Sequence, residues 1–287
     1  MTAKILDGKE LAKMMRTEVQ QTVADFRARW GVAPALTVVR AGEDPASVSY
    51  ARAIAKAFEA AGLTFNLRTL PETASQAEIV DLVAGLSADP AVHGIMVQEP
   101  LPKGVDGAAV VAALAPAKDV DGVHPENAGR LLQGEGDYFV PATPAGGMEI
   151  LRRNQVNLKG ARAVVVGRSN IVGKPMACLL LHQHATVTIC HSRTIDLGAI
   201  TREADILVAA VGKARIIQGD MVKPGATVID FGVNFDNGVM VGDVDFESAS
   251  AVAGAITPVP GGTGPMTNVM LMLNTITAAD RQLTARR

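Results

Sequence analysis

The sequence predicts an α/β protein made of two units with parallel sheets. Short β-branched runs alternate with stretches of helical periodicity along most of the 287 residues. Hydrophobic residues make up 48% and aromatic residues only 3%, so the cores must be Val, Ile, Leu and Ala, which suits parallel sheets covered by helices. The length corresponds to about two domains.

In the first half, Asp7-x-x-Glu10 has the form of a capping box, and Leu11, Met14, Met15, Val19, Val23 and Phe26 follow at helical spacing. Leu36–Val39 reads as a strand. Ser47 is positioned to cap a second helix that stops at Gly62. Phe65–Leu70 reads as a strand, Ser75-x-x-Glu78 opens a helix, and Val92–Gln98 is the next strand. The prolines of Glu99-Pro100-Leu101-Pro102 end its pairing. In the second half Arg162–Val166, Thr186–Cys190, Ile206–Val211 and Thr227–Asp230 read as strands, and Asn237-Gly238 marks a hairpin. A Gly/Pro-rich stretch at 122–147 is the expected boundary. The last helix, Met266–Leu283, has no strand after it and is expected to return to the first unit.

Lys plus Arg total 27 and Asp plus Glu 29, a net charge of −2. That balance carries no electrostatic footprint for nucleic acid or an anionic membrane. The two cysteines, Cys178 and Cys190, make no disulfide scaffold and lack metal-ligand spacing. The opening MTAKILDGKE is charged where a signal peptide is apolar, and no uncharged apolar run reaches the ~18 residues of a membrane span. The expectation is a soluble cytoplasmic protein with no metal, nucleic-acid or membrane partner.

Gly167-Arg168-Ser169-Asn170-Ile171-Val172-Gly173 joins a strand to a helix. It is either an ordinary turn or a dinucleotide turn, in which glycines let the backbone approach a pyrophosphate at a helix N-terminus. It departs from G-x-G-x-x-G, with Ser169 at the middle glycine. The next strand ends Cys190-His191-Ser192-Arg193-Thr194, without the acidic residue that would contact the ribose of NAD. Ser192 and Arg193 suit a 2′-phosphate, with Arg168 adding a second cation; the alternative is a solvated loop. Asp230 reads as a turn residue.

Six segments together resemble the methylenetetrahydrofolate dehydrogenase/cyclohydrolase family. They are Gly8-Lys9, Gly42-x-x-Pro45-Ala46-Ser47-x-x-Tyr50, Val97-Gln98-x-Pro100-Leu101-Pro102, Lys118-Asp119-Val120-Asp121-Gly122-x-His124-Pro125, Gly167-Arg168-Ser169-x-Ile171-Val172-Gly173-x-Pro175 and the run from Thr257 to Thr267. The resemblance implies two α/β domains flanking a cleft and a homodimer built through the second. It implies a folate-binding catalytic domain at residues 1–122, completed by the helix 266–287, and a Rossmann-like NADP-binding domain at 140–265. Tetrahydrofolate derivatives would be the substrates. Tyr50 would pack on the folate ring, Asp121 would hold the pterin nitrogens, and Gln98 and Pro100 would line the reacting centre. Gly167, Arg168, Ser169, Ser192, Arg193 and Val233 would contact NADP. Pro260, Gly261, Gly262 and Thr263 would belong to a loop closing over the folate. Without the family, Tyr50 is one more residue of an amphipathic helix and Asp121 a turn residue.

The family carries a Lys four residues after the Tyr, and this chain has Ile54 there. Lys56 lies about 600° around the helix from Tyr50 and Arg52 about 200°, so neither points where Tyr50 does. Glu99 also replaces an apolar residue, and Thr263 one that is usually Val. Oxidising the methylene folate requires no proton transfer, whereas hydrolysing the methenyl cation does, and isoleucine contributes nothing to it. The expectation is an NADP-dependent methylenetetrahydrofolate dehydrogenase with weak or lost cyclohydrolase activity. The alternatives are a fully bifunctional enzyme using Glu99 as base and a non-catalytic folate-binding protein.

Overall fold

A computed structural model describes residues 2–287. The chain begins with β1 (Lys4–Ile5), α1 (Gly8–Trp30), β2 (Ala35–Ala41), α2 (Pro45–Ala60), β3 (Thr64–Leu70), α3 (Gln76–Ala88) and β4 (Gly94–Val97). Helices α4 (Gly107–Ala112), α5 (Pro125–Gln133) and α6 (Ala142–Arg153) follow. Then come β5 (Arg162–Val166), α7 (Gly173–His182), β6 (Thr186–Cys190), α8 (Leu197–Thr201), β7 (Ile206–Ala209) and β8 (Thr227–Asp230). The last elements are β9 (Asn234–Asp236), β10 (Val239–Val241), α9 (Phe246–Ser250), β11 (Ala255–Ile256) and α10 (Thr263–Thr284). No helix of the described residues is long and apolar enough to cross a membrane.

The chain divides into two compact units, Met14–Ala142 with Asn268–Arg287, and the residues up to Lys13 with Thr143–Thr267. This division differs from the sequence reading at two places, the first residues and the stretch 123–139, while α10 lies where the reading expects it. The first residues join the second-half unit, because β1 pairs in parallel with β11. Both strands are two residues long, too short for any periodic signal. The boundary falls between Ala142 and Thr143, inside the stretch 122–147, and residues 123–139 belong to the first-half unit. The N–H groups at Val123 and His124 donate to the buried carboxylate of Asp119, at 3.0 and 2.7 Å, and α5 follows directly. From Asn268 onward α10 lies in the first-half unit, where Asn274 Nδ2 donates to the carbonyls of Val120 (2.8 Å) and Val140 (3.0 Å).

The Met14–Ala142 unit holds a three-stranded parallel sheet in the order β3-β2-β4. Side chains alternate along β2. Val39 and Ala41 face the cluster of Ile79, Val83 and Leu86 from α3. Leu36, Val38 and Arg40 face the other way. Leu36 is in register with Phe65, whose ring meets that of Phe58 edge-on at 6.5 Å, so α2 covers this second face. Asp44, not Ser47, caps α2: it accepts from the Ser47 N–H at 2.9 Å, and Pro45 sits in the first turn, where its missing N–H costs nothing. The Ser75–Glu78 capping box of α3 is reciprocal. In α1 the predicted stripe is buried except Met14, which is 51% exposed.

The other unit holds a six-stranded, all-parallel sheet in the order β1-β11-β8-β7-β5-β6. From β5 the chain steps outward to β6, then returns across β5 to β7. The topological switch point therefore lies at the carboxyl ends of β5 and β7, where open α/β sheets bind ligands. Val164, Val165 and Val166 are all buried, as expected for a strand covered on both faces. Asn237 and Gly238 take positive φ (50° and 80°) in the tight turn between β9 and β10.

Candidate functional site

In the Met14–Ala142 unit, the chain leaving β4 is fastened to the first turn of α2. Gln98 is buried, and its Nε2 donates to the Ser47 carbonyl at 3.2 Å. The Ser47 hydroxyl donates to the Glu99 carbonyl at 2.8 Å. Gln98 Oε1 is a buried acceptor with no partner among the described residues. The Glu99–Pro100 peptide is cis, and Pro100 is exposed. Read from the sequence as a cap, Ser47 instead positions Gln98, a role no spacing rule signals.

The buried stripe of α2 is Ser47, Ala51, Ile54 and Phe58. Ile54 has no exposed surface at all. Arg52 and Lys56 are exposed, in agreement with the helix geometry. Tyr50 is half-buried. Burial, with the charge of Asp121 adding, raises its phenol far above the ordinary value, so it stays neutral. The structure thus brings Tyr50 and Asp121 into electrostatic range of each other.

The motif Lys118-Asp119-Val120-Asp121 divides its charges by task. Lys118 Nζ donates to the carbonyls of Leu86 (3.1 Å) and Asp89 (2.6 Å), satisfying the end of α3. Asp119 is fully buried and accepts from Val123, His124 and Asn127 Nδ2, the last at 2.7 Å. Asp121 is different: no donor among the described residues reaches its carboxylate. Its burial, then the charges of Asp119 and Glu99, push its pKa up to about 7. Such a group suits a ligand edge rich in N–H donors.

The second unit presents backbone rather than side chains. A Cβ on Gly167 (φ +134°) would lie 2.1 Å from the Ala210 oxygen, and one on Gly173 would lie 2.3 Å from the Gly167 oxygen. Only glycine fits at either place. Ser169 Oγ accepts from the N–H groups of Val172 (3.1 Å) and Gly173 (3.3 Å), capping α7 from within the turn. Arg168 and Ser169 are exposed at this helix N-terminus, a favourable place for an anion. The adjacent strand end carries exposed Ser192 and Arg193. The Gly167 N–H donates to the Cys190 carbonyl at 2.9 Å, so the two turns are neighbours. No described carboxylate pairs with Arg168 or Arg193. Val233 follows the end of β8 and is exposed.

Asp230 is not a turn residue. It is buried at the end of β8 and accepts from Gly232 (2.7 Å), Val244 (2.9 Å) and Asp243 (3.1 Å). Burial outweighs these bonds and raises its pKa to about 6. Its carbonyl accepts from the buried Thr263 hydroxyl at 2.9 Å, which occupies that side chain. Pro260 follows a cis peptide, and the Gly261 carbonyl accepts from the Lys9 N–H at 2.8 Å.

The raised pKa of Asp121 has a sign. Its folded value of about 7 lies above the ordinary 3.8, so the folded state binds more protons between those limits and loses stability as pH rises through them. Asp121→Asn is therefore expected to melt higher than the parent at pH 8, with the gap closing towards pH 4. Melting curves across that range check it; a variant that melts lower at pH 8 contradicts it.

The catalytic-domain profile of the tetrahydrofolate dehydrogenase/cyclohydrolase family matches residues 6–121, and its NAD(P)-binding-domain profile matches residues 141–283. The bifunctional protein FolD of Roseiflexus sp. (strain RS-1) is 56% identical over 100% of this chain and 99% of its own. The crystal structure of a bifunctional FolD dehydrogenase/cyclohydrolase from Campylobacter jejuni has a TM-score of 0.95 at 41% identity, covering 97% of this chain and 99% of that one. The Trypanosoma brucei enzyme, solved with NADP cofactor and an inhibitor, has a TM-score of 0.94 at 37% identity and covers 99% of both chains. The chain belongs to the tetrahydrofolate dehydrogenase/cyclohydrolase family.

Proposed function

We propose that this protein oxidises methylenetetrahydrofolate to methenyltetrahydrofolate with NADP and hydrolyses the methenyl product poorly. The observation that carries the reading is Ile54, fully buried in the α2 stripe where the family has a Lys. NADP, when bound, supplies the hydride acceptor. The residues present fit it: Gly167 and Gly173 leave room for a pyrophosphate at the start of α7. Arg168 and Arg193 are unpaired cations for phosphate, with Ser169 and Ser192 as hydroxyl contacts and Val233 as a further contact. Asp121 accepts from the pterin's donors, Tyr50 packs on its ring, and Gln98 with Pro100 lines the reacting centre. Pro260, Gly261, Gly262 and Thr263 are proposed as further substrate contacts, through backbone at Thr263.

Hydride loss turns the folate into a cation, and no proton moves. An apolar Ile54 adds no charge to repel that product. Hydrolysis requires water to be deprotonated as it adds, help worth roughly 10²–10⁴-fold. Gln98 Oε1, with no protein partner, is free to accept from a water but cannot take its proton.

A second reading is full bifunctionality with Glu99 as base. It is favoured by the name of the Roseiflexus relative and by Glu99 lying close enough to Asp121 to raise its pKa. A homodimer is proposed through the cofactor unit, on the exposed apolar side chains Phe235 (70%) and Val239 (62%) of the β9–β10 hairpin. The free thiols Cys178 and Cys190 fit a cytoplasmic location.

Three measurements bear on this. With methylenetetrahydrofolate and NADP, methenyltetrahydrofolate should accumulate and decay no faster than in buffer, while Ile54→Lys should lower the melting temperature, because it buries an ammonium, and gain hydrolysis several-fold; a destabilised variant with no gain makes Ile54 a core residue only. Hydrolysis well above the buffer rate by the parent rejects the monofunctional reading, and its loss in Glu99→Gln would support the second. Arg193→Glu should raise KM for NADP by about ten-fold or more and leave KM for NAD nearly unchanged, a selectivity that separates phosphate contact from general damage. Phe235→Asp should move the protein from dimer to monomer in sedimentation; an unmoved dimer places the interface elsewhere.

A further inference from the structure

The carboxylate of Asp243 is fully buried, and no cation among the described residues neutralises it. It is held by four donors. Oδ2 accepts from the N–H groups of Val211 (2.5 Å) and Gly212 (2.9 Å). Oδ1 accepts from the N–H of Lys213 (2.8 Å) and from Asn234 Nδ2 (3.0 Å). Three consecutive main-chain N–H groups converging on one anion form a nest, here filled by the protein's own carboxylate.

The nest is the loop leaving β7, on one side of the topological switch point. Ala210, immediately before it, donates to the Val166 carbonyl at 2.8 Å. Its own carbonyl oxygen occupies the place a Gly167 side chain would take. The loop is therefore docked on the glycine turn. Val211, Gly212 and Lys213 are exposed, so little packing fixes their backbone. The carboxylate does so instead. Asp243 is itself fixed by its N–H bond to Asp230, whose carboxylate also holds Gly232 and Val244.

We propose that Asp243 is a positioning residue for the dinucleotide: by filling the Val211–Lys213 nest it sets the β7 loop against the Gly167 turn and so shapes one wall of the cofactor crevice. The proposal rests on the cofactor reading above. It predicts that losing the carboxylate frees three N–H groups, lets the loop move, and weakens cofactor binding although the Asp243 side chain is fully buried. It also predicts that a small carboxylate from solution can refill the nest.

The test is titration of NADPH fluorescence on the intact protein. The parent should bind; if it does not, the cofactor reading fails rather than this one. Asp243→Ala should weaken NADPH by about ten-fold or more, and added sodium formate should recover most of that loss while leaving the parent unchanged. A merely structural role would lower the melting temperature without formate-dependent recovery of affinity. Asn234→Ala removes one of the four donors and keeps the carboxylate, so it should fold and weaken NADPH a few-fold. Parent-like affinity in a folded Asp243→Ala, or no recovery with formate, overturns the proposal. If Asp243→Ala does not fold, parent-like affinity in Asn234→Ala overturns it.

Discussion

The substrate-side reading depends on one carboxylate that folding leaves without a donor. In the Lys118–Asp121 motif the first two charges are consumed by the chain itself. Lys118 closes the end of α3, and Asp119 collects the N–H groups that would otherwise be orphaned where the chain turns into α5. With those two satisfied, Asp121 is left half-buried beside like charges. A carboxylate in that position is destabilising alone. It is tolerable where a ligand supplies the missing donors, and this is what sets the proposed binding group Asp121 apart from the structural acid Asp119 two residues away.

The cofactor unit works with backbone. Gly167 and Gly173 are required because carbonyl oxygens occupy the places their side chains would fill. The loops around them are held from behind by the buried carboxylates of Asp230 and Asp243. The exposed side chains of Arg168 and Arg193, proposed as phosphate contacts, stand on a frame they do not build.

Much of this was legible in the sequence. The strands at Arg162–Val166, Thr186–Cys190 and Thr227–Asp230 have the bounds that their β-branched runs predict. Ile54 falls on the buried face of α2 because helical spacing fixes which residues share a face. The parts that stayed hidden depend on partners distant in sequence. β1 and β11 are strands only because each pairs with a neighbour more than two hundred residues away or in another βα unit. Asp44 competes with Ser47 for the same cap, and sequence preference does not separate them. Asp230 and Asp243 give no sequence signal, because all their donors but Asn234 Nδ2 are main-chain N–H groups, which every residue except proline carries. Met14 shows the opposite error, an apolar residue at helical spacing left outside the stripe.

The most direct test is the titration of Asp121 itself. Protein labelled with ¹³C at aspartate carboxyls, with Asp121→Asn to assign the resonance, would report its midpoint without ligand. The account predicts a midpoint near 7, above those of the paired surface aspartates, and a shift downward when a folate supplies donors. A midpoint in the ordinary range near 4, unmoved by folate, would mean that Asp121 is a solvated turn residue, and the substrate-side assignment would fall with it.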